Sequence, residues 1–301
     1  MDVSADVSAI TAALSQDVWG CVLEMLSWYD ELVKMYLLNS RMTALTKATS
    51  WGQLNIVQDS LNLKYPGHFK IVSGLHVLHC RANSLGCVFN LDALVNHNPV
   101  LREVDLSNAA FDNLVPFSTC PLLEILVLSK VRLVSYNLKP LQDCSGLQVL
   151  VLDHTGTNDV SALRLLGRLR FLNISHTNVV NVSSLPPAIE ALNIDDTGIA
   201  SVPFASLSSL THVMWSTTFV SSIAGIERCS QLEFIRLSNT YVSDITPLQY
   251  CTKLWNVNLR HTDVTDVSCL ETLTNITGFA CSWNHVVGMS FYAPQPMFHY
   301  W

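Results

Sequence analysis

Apolar and polar positions recur along this chain with a period too long for a helix or a strand. The segments beginning at Leu232 and Leu254 both fit LxxΦxLxxTxVxDΦ, where Φ is aliphatic. A looser frame, LxxLxLxxNxL with substitutions at the Asn position, can be laid from Trp51, Leu75, Leu101, Leu123, Leu147, Leu169, Ile189, Leu210, Leu232, Leu254 and Ile276. Successive starts lie 20 to 26 residues apart. Within "LEFIRLSNT" the alternation predicts a short strand and turn: Leu232, Ile235 and Leu237 point inward, Phe234 and Arg236 to the other face.

One such unit cannot bury its apolar edge alone. Stacking each on the next pairs the strands in parallel and makes the buried edge continuous. The period falls in the range of about 20 to 29 residues that marks leucine-rich repeats, which the chain resembles over residues 51–290 in about eleven copies. The expected fold class is α/β: a right-handed leucine-rich-repeat solenoid with one parallel sheet on its concave face. Strands about 4.8 Å apart would give an arc on the order of 50 Å. Leu78, Leu106, Leu128, Leu152, Ile174, Ile194, Trp215, Leu237 and Leu259 are expected in inward rows.

Two further positions recur in register. The Asn of the frame is replaced by Thr155, Thr177, Thr197, Thr218, Thr240 and Thr262, with Asn83 and Asn284 near the ends. A Thr hydroxyl there is expected to donate to a neighbouring turn's carbonyl. Cys120, Cys144, Cys229 and Cys251 each stand three residues before a repeat's first leucine, which suits small core hydrophobes better than metal ligands or nucleophiles.

Residues 14–50 follow helical spacing, with Val18, Val22, Leu23 and Leu26, then Leu32, Met35, Leu38 and Met42. Leu14, Asp17, Val18, Val22, Leu23 and Leu26 match L-P-x-E/D-I-x-x-x-I-L-x-x-L, "LLNSRMTAL" is similar to a V-C-K/R-x-W tail, and "SWGQLNI" to W-x-x-L-x-L. This segment resembles an F-box, although Ser15 replaces the usual Pro and Met42 a bulky aromatic. An amphipathic cap on the first repeat is the alternative. With repeats following directly, the arrangement is similar to the F-box/leucine-rich-repeat family. That resemblance implies a substrate receptor of an SCF ubiquitin ligase, with Leu14, Val18, Val22, Leu23 and Leu26 holding the SCF adaptor subunit and the repeats holding a protein substrate. A scaffold or regulatory subunit without a ubiquitin link, such as one docking on a phosphatase, is the competing reading. Residues 1–13 read as a tail. Residues 291–301, FYAPQPMFHYW, read as an aromatic cap whose prolines stop the sheet, or as a short partner motif.

Composition narrows the function. A chain that is 49% hydrophobic and 14% charged can bury a large core, and its net charge of -7 argues against nucleic acid as a partner. No apolar run reaches the roughly 18 residues of a membrane helix, and no basic, then apolar leader opens the sequence, so an intracellular location, cytoplasmic or nuclear, without membrane contact is expected. Nine cysteines without a CxxC pair fit a reducing compartment. The sequons at Asn173, Asn181 and Asn275 then read as chance. P-loop, GxGxxG, HExxH and GxSxG motifs are missing, so the expectation is a non-enzyme without cofactors, monomeric within a larger complex.

Two sets of residues are candidates for contact with a protein partner. Ile125, Val127, Val149, Val151 and Phe171 occupy outward strand positions and would form an apolar patch rimmed by Glu103, Asp105, Asn173 and Asn193, although Val and Ile are also good strand formers. At the strand ends, "LDHT", "ISHT" and "IDDT" would bring Asp153, His154, His176 and Asp196 together. Metal ligation there is the weaker reading, a polar partner contact or a plain polar junction the stronger.

Overall fold

The computed structural model describes residues 53–58, 77–82, 95, 98–282 and 284, in two compact units divided after Leu147. The F-box-like segment with Leu14, Val18, Val22, Leu23 and Leu26, the frame start Trp51, Asn83 and the aromatic segment 291–301 lie outside the described residues.

In the first unit, β1 (Gln53–Gln58), β2 (Val77–Ala82), β3 (Glu103–Asp105) and β5 (Ile125–Val127) pair in parallel in that order. A second, two-stranded ladder joins β4 (Ala110–Phe111) to β6 (Arg132–Leu133), so this unit holds two sheets where one was expected. The extra ladder forms where the chain leaves the strand-end turn still extended: Arg132 N–H donates to the Ala109 carbonyl.

Among its described residues the second unit carries seven strands in chain order, all parallel: β7 (Val149–Val151), β8 (Phe171–Asn173), β9 (Ala191–Asn193), β10 (His212–Met214), β11 (Phe234–Arg236), β12 (Asn256–Asn258) and β13 (Gly278–Ala280). Leu150, Leu172, Leu192, Val213, Ile235 and Val257 lie in one register row and are fully buried. Each contributes about 1.5 to 3 kcal/mol by leaving water. The row two residues on, Leu152, Ile174, Ile194, Trp215, Leu237 and Leu259, is equally buried, as expected. Leu78 is buried too, but it pairs with Val104 and so belongs to the strand-centre row and not to that of Leu106.

The return segments are 3-10 turns such as Lys139–Asp143, Ser161–Leu165 and Thr246–Tyr250, and no α-helix crosses the repeats of the described residues. Length explains this. A three-residue strand spans roughly 10 Å, which five residues at the 3-10 rise of about 2 Å match and five at the α-helical rise of about 1.5 Å do not. The repeat's Asp opens the return: Asp244 and Asp266 accept the N–H groups of Thr246 and Ser268, each at 2.8 Å. Bonds from Thr246, side chain then backbone, hold the Asp244 carboxyl below its ordinary range; at Asp266 the backbone N–H of Ser268 leads.

The Thr ladder is buried, but its bonds differ from the expectation. Each of Thr155, Thr177, Thr197, Thr218, Thr240 and Thr262 donates to the carbonyl three residues earlier in its own repeat, at 2.6 to 2.9 Å. At this position the hydroxyl turns back to its own repeat, whereas Thr211, before β10, donates its hydroxyl to the Glu190 carbonyl one repeat back at 2.9 Å. Asn284, one bond longer, also reaches back a repeat: its Nδ2 donates to the Leu259 carbonyl at 2.7 Å and its Oδ1 accepts the Thr262 N–H at 3.1 Å.

The registered cysteines fill the core. Cys120, Cys144, Cys229 and Cys251 are buried, and Leu166, Leu207 and Leu273 occupy the same position after their own 3-10 turns. The thiols of Cys144 and Cys229 donate to backbone carbonyls of the preceding repeat, Phe117 at 3.2 Å and Leu207 at 3.4 Å. Burial pushes the Cys144 and Cys251 thiols up to about 12 and that of Cys229 to about 11.

Candidate partner-binding site

The strand face is the surface on which equivalent side chains line up without a core to fill. Ile125 and Val127 stand on it in the first unit; Val149, Val151 and Phe171 stand on it in the second, with Phe171 in register between Val149 and Ala191. All five are half-buried. Of the expected rim, Glu103, Asn173 and Asn193 are half-buried, whereas Asp105 is buried and turned into its own loop, where Oδ1 accepts from Ser107 N–H at 3.0 Å and Ser107 Oγ at 2.6 Å.

His154, His176 and Asp196 come together at the strand ends. The two imidazoles stack with centroids 4.0 Å apart and planes 7° from parallel, and His176 Nδ1 lies 2.6 Å from Asp196 Oδ2. Asp153 is half-buried beside them. Rings stacked in this way do not converge their nitrogens, and the described residues contain no group of three or more His, Cys, Asp or Glu arranged to hold a metal. The backbone accounts for the residue types. His154, His176 and Asp196 have φ of 54°, 53° and 54°, and every repeat from Asn108 to His261 places a left-handed residue at this point. Short polar side chains and His tolerate that conformation best.

Thr217 breaks that rule. It is the single β-branched residue among the eight described non-glycine residues of positive φ, at 56°. Three buried side-chain polar atoms among the described residues have no hydrogen-bond partner: Trp215 Nε1, in the core beside Phe204, the adjacent Ser216 Oγ, and Arg236 Nε on the next repeat. A strained Thr217 beside an unpaired Ser216 hydroxyl is a cost that a core alone does not require.

An aromatic cluster adjoins this turn on β10 to β12. His212 stacks on Phe234 with centroids 6.0 Å apart, and Trp255, 41% exposed, tilts against the other side of Phe234, also at 6.0 Å. Asn256 turns away from Phe234 toward Gly278, where a Cβ would collide with its amide. Met214 and Arg236 complete the same face. The Arg236 guanidinium passes over the intervening repeat to bond Asp195, which also accepts the Ser216 N–H at 2.6 Å. Trp, Phe, Met and Arg are the side chains enriched at protein interfaces and their energetic centres. Sequence reasoning passed over this cluster although the signal was present: Phe234 holds the same frame position as Phe171.

No family model matches the chain, and no curated protein matches it. Solved structures do. A leucine-rich-repeat protein from Leptospira interrogans superposes with a TM-score of 0.67 at 17% identity, covering 81% of this chain and 64% of that one. The leucine-rich-repeat domain of APL1B gives 0.62 at 18% identity, covering 82% and 73%. The functional domain of InlJ from Listeria monocytogenes, described as including a cysteine ladder, gives 0.61 at 17% identity and covers 77% and 53%, so this chain spans about half of its length. At these identities the likeness is one of fold: the chain has the leucine-rich-repeat fold.

Proposed function

We propose that the chain is a non-enzymatic protein-binding module that holds its partner on the strand face, centred on Phe234, Trp255 and Arg236. The observation that carries this reading is the aromatic cluster beside Arg236, built from the residue types that dominate protein interfaces and lying on a face the core does not need. The apolar positions Ile125, Val127, Val149, Val151 and Phe171 and the strand-end group Asp153, His154, His176 and Asp196 extend the contact along each unit. Affinity purification of the full chain beside Phe234→Ala and Trp255→Ala tests it: partner recovery is lost in both variants while the thermal midpoint moves little. Recovery that survives both substitutions overturns the reading.

The finer role rests on the F-box-like segment. In this reading Leu14, Val18, Val22, Leu23 and Leu26 hold the SCF adaptor subunit and the partner is a ubiquitination substrate, with an intracellular location following from that role. Co-purification of the adaptor, lost on Leu23→Asp, supports it. An unmutated chain that recovers a partner without any adaptor leaves a scaffold with no ubiquitin link.

A further inference from the structure

The strand-end surface of the second unit is divided by charge. From β7 to β9 the outward positions and turns carry Asp153, Asp195 and Asp196 with no Lys or Arg. From β10 to β12 the same positions read Met214, Ser216 and Thr217, then Arg236, Ser238 and Asn239, then Asn258, Arg260 and His261, with two arginines and no acid. The Arg236–Asp195 bond joins the two halves. In that bond Arg236 uses Nη2, while its Nε and the Ser216 hydroxyl are each buried without a hydrogen-bond partner. Both are donors seeking an acceptor. Asp195 does not depend on Arg236, because it also accepts the Ser216 N–H. Arg260 is exposed and forms no ion pair among the described residues.

Resting on the partner-binding reading above, we infer that the β10 to β12 face recognises an acidic residue of a protein partner. The incoming carboxylate takes the part-exposed Arg236 guanidinium from Asp195, which frees Nε from its buried position to bond as well, and draws further on Arg260. An apolar residue beside it lies on Phe234 and Trp255. The occupant is thus an acidic and aromatic or aliphatic segment. A planar guanidinium suits a carboxylate geometrically, and the strand-end positions of β10 to β12, with two arginines and no acid, suit it electrostatically, although Glu233 stands at the far end of the same strand face beside Phe234.

The test is selection of a displayed random-peptide library on the full chain, followed by binding measurements on the winning peptides. The expected winners pair Asp or Glu with a neighbouring aromatic or aliphatic residue. Replacing that acid by its amide, or introducing Arg236→Gln, weakens binding roughly tenfold or more, and Arg260→Gln, which touches no core, weakens it less. Winners that are neutral or basic, lose binding in Phe234→Ala and ignore Arg236→Gln overturn this inference and leave the partner-binding reading standing. Winners indifferent to Phe234→Ala, or none above background, overturn both. Equal thermal midpoints for Arg260→Gln and the parent keep the outcome free of folding effects.

Discussion

Arg236 bonds Asp195 across 41 residues of sequence, passing over a whole repeat to do so. A repeat protein is stabilised mainly between nearest neighbours, so a side chain linking next-nearest repeats couples three of them. Asp195→Ala removes the acceptor of both Arg236 and the Ser216 N–H, and is expected to lower stability by about 1 to 3 kcal/mol, measured by chemical denaturation. A change within the noise of a surface substitution would show that the link is not maintained in solution.

Thr217 gives a prediction of opposite sign. A β-branched residue in the left-handed region costs about 1 to 2 kcal/mol relative to one that tolerates it. Thr217→Asn restores the residue type found at Asn108 and Asn239 and should raise the thermal midpoint. If the turn also serves binding, the same variant should alter partner affinity, which isothermal titration would report.

The Thr ladder separates two kinds of hydrogen bond. Thr240→Val keeps the shape but leaves the Leu237 carbonyl without its hydroxyl donor, at a cost of about 1 kcal/mol. Thr240→Asn tests reach: if it spans repeats as Asn284 does, stability is retained or gained, and hydrogen exchange at the neighbouring turns slows.

The buried thiols set an alkaline limit. The pKa values of Cys144 and Cys251, about 12 in the folded chain, lie above the ordinary value of 9.0, so the folded state keeps its protons longer than the unfolded state. Their contribution is intact below about pH 9 and declines as pH rises toward 12. Alkaline unfolding should therefore shift to higher pH in Cys251→Ala relative to other truncations of similar size, and in the native parent Cys144, Cys229 and Cys251 should resist thiol reagents until the chain unfolds.

The repeat was legible because it is written in the two properties sequence records best, apolar spacing and turn chemistry. The inward rows do not depend on which side chain fills them: Trp215 takes the place of Ile194 and Leu237 and stays fully buried. What spacing could not supply was the direction of short-range bonds. Thr155 and its equivalents had the right position and the wrong acceptor, since the carbonyl three residues earlier in the same turn lies within reach of the hydroxyl and spacing alone does not show which acceptor is nearer. The site was read in part. Phe171 and the His176–Asp196 pair were found by frame position, while Arg236 was treated only as the outward member of an alternation, because nothing in a linear sequence tells that its partner sits two repeats back.

Site-specific photo-crosslinking tests the central claim most directly. A photoreactive phenylalanine analogue is placed at Trp255, on the strand face, and separately at Tyr250, exposed on a 3-10 return. The account predicts a discrete crosslinked protein from position 255 and none from position 250, with the product abolished by Phe234→Ala. A product formed from position 250 alone, or equally from both, would contradict it.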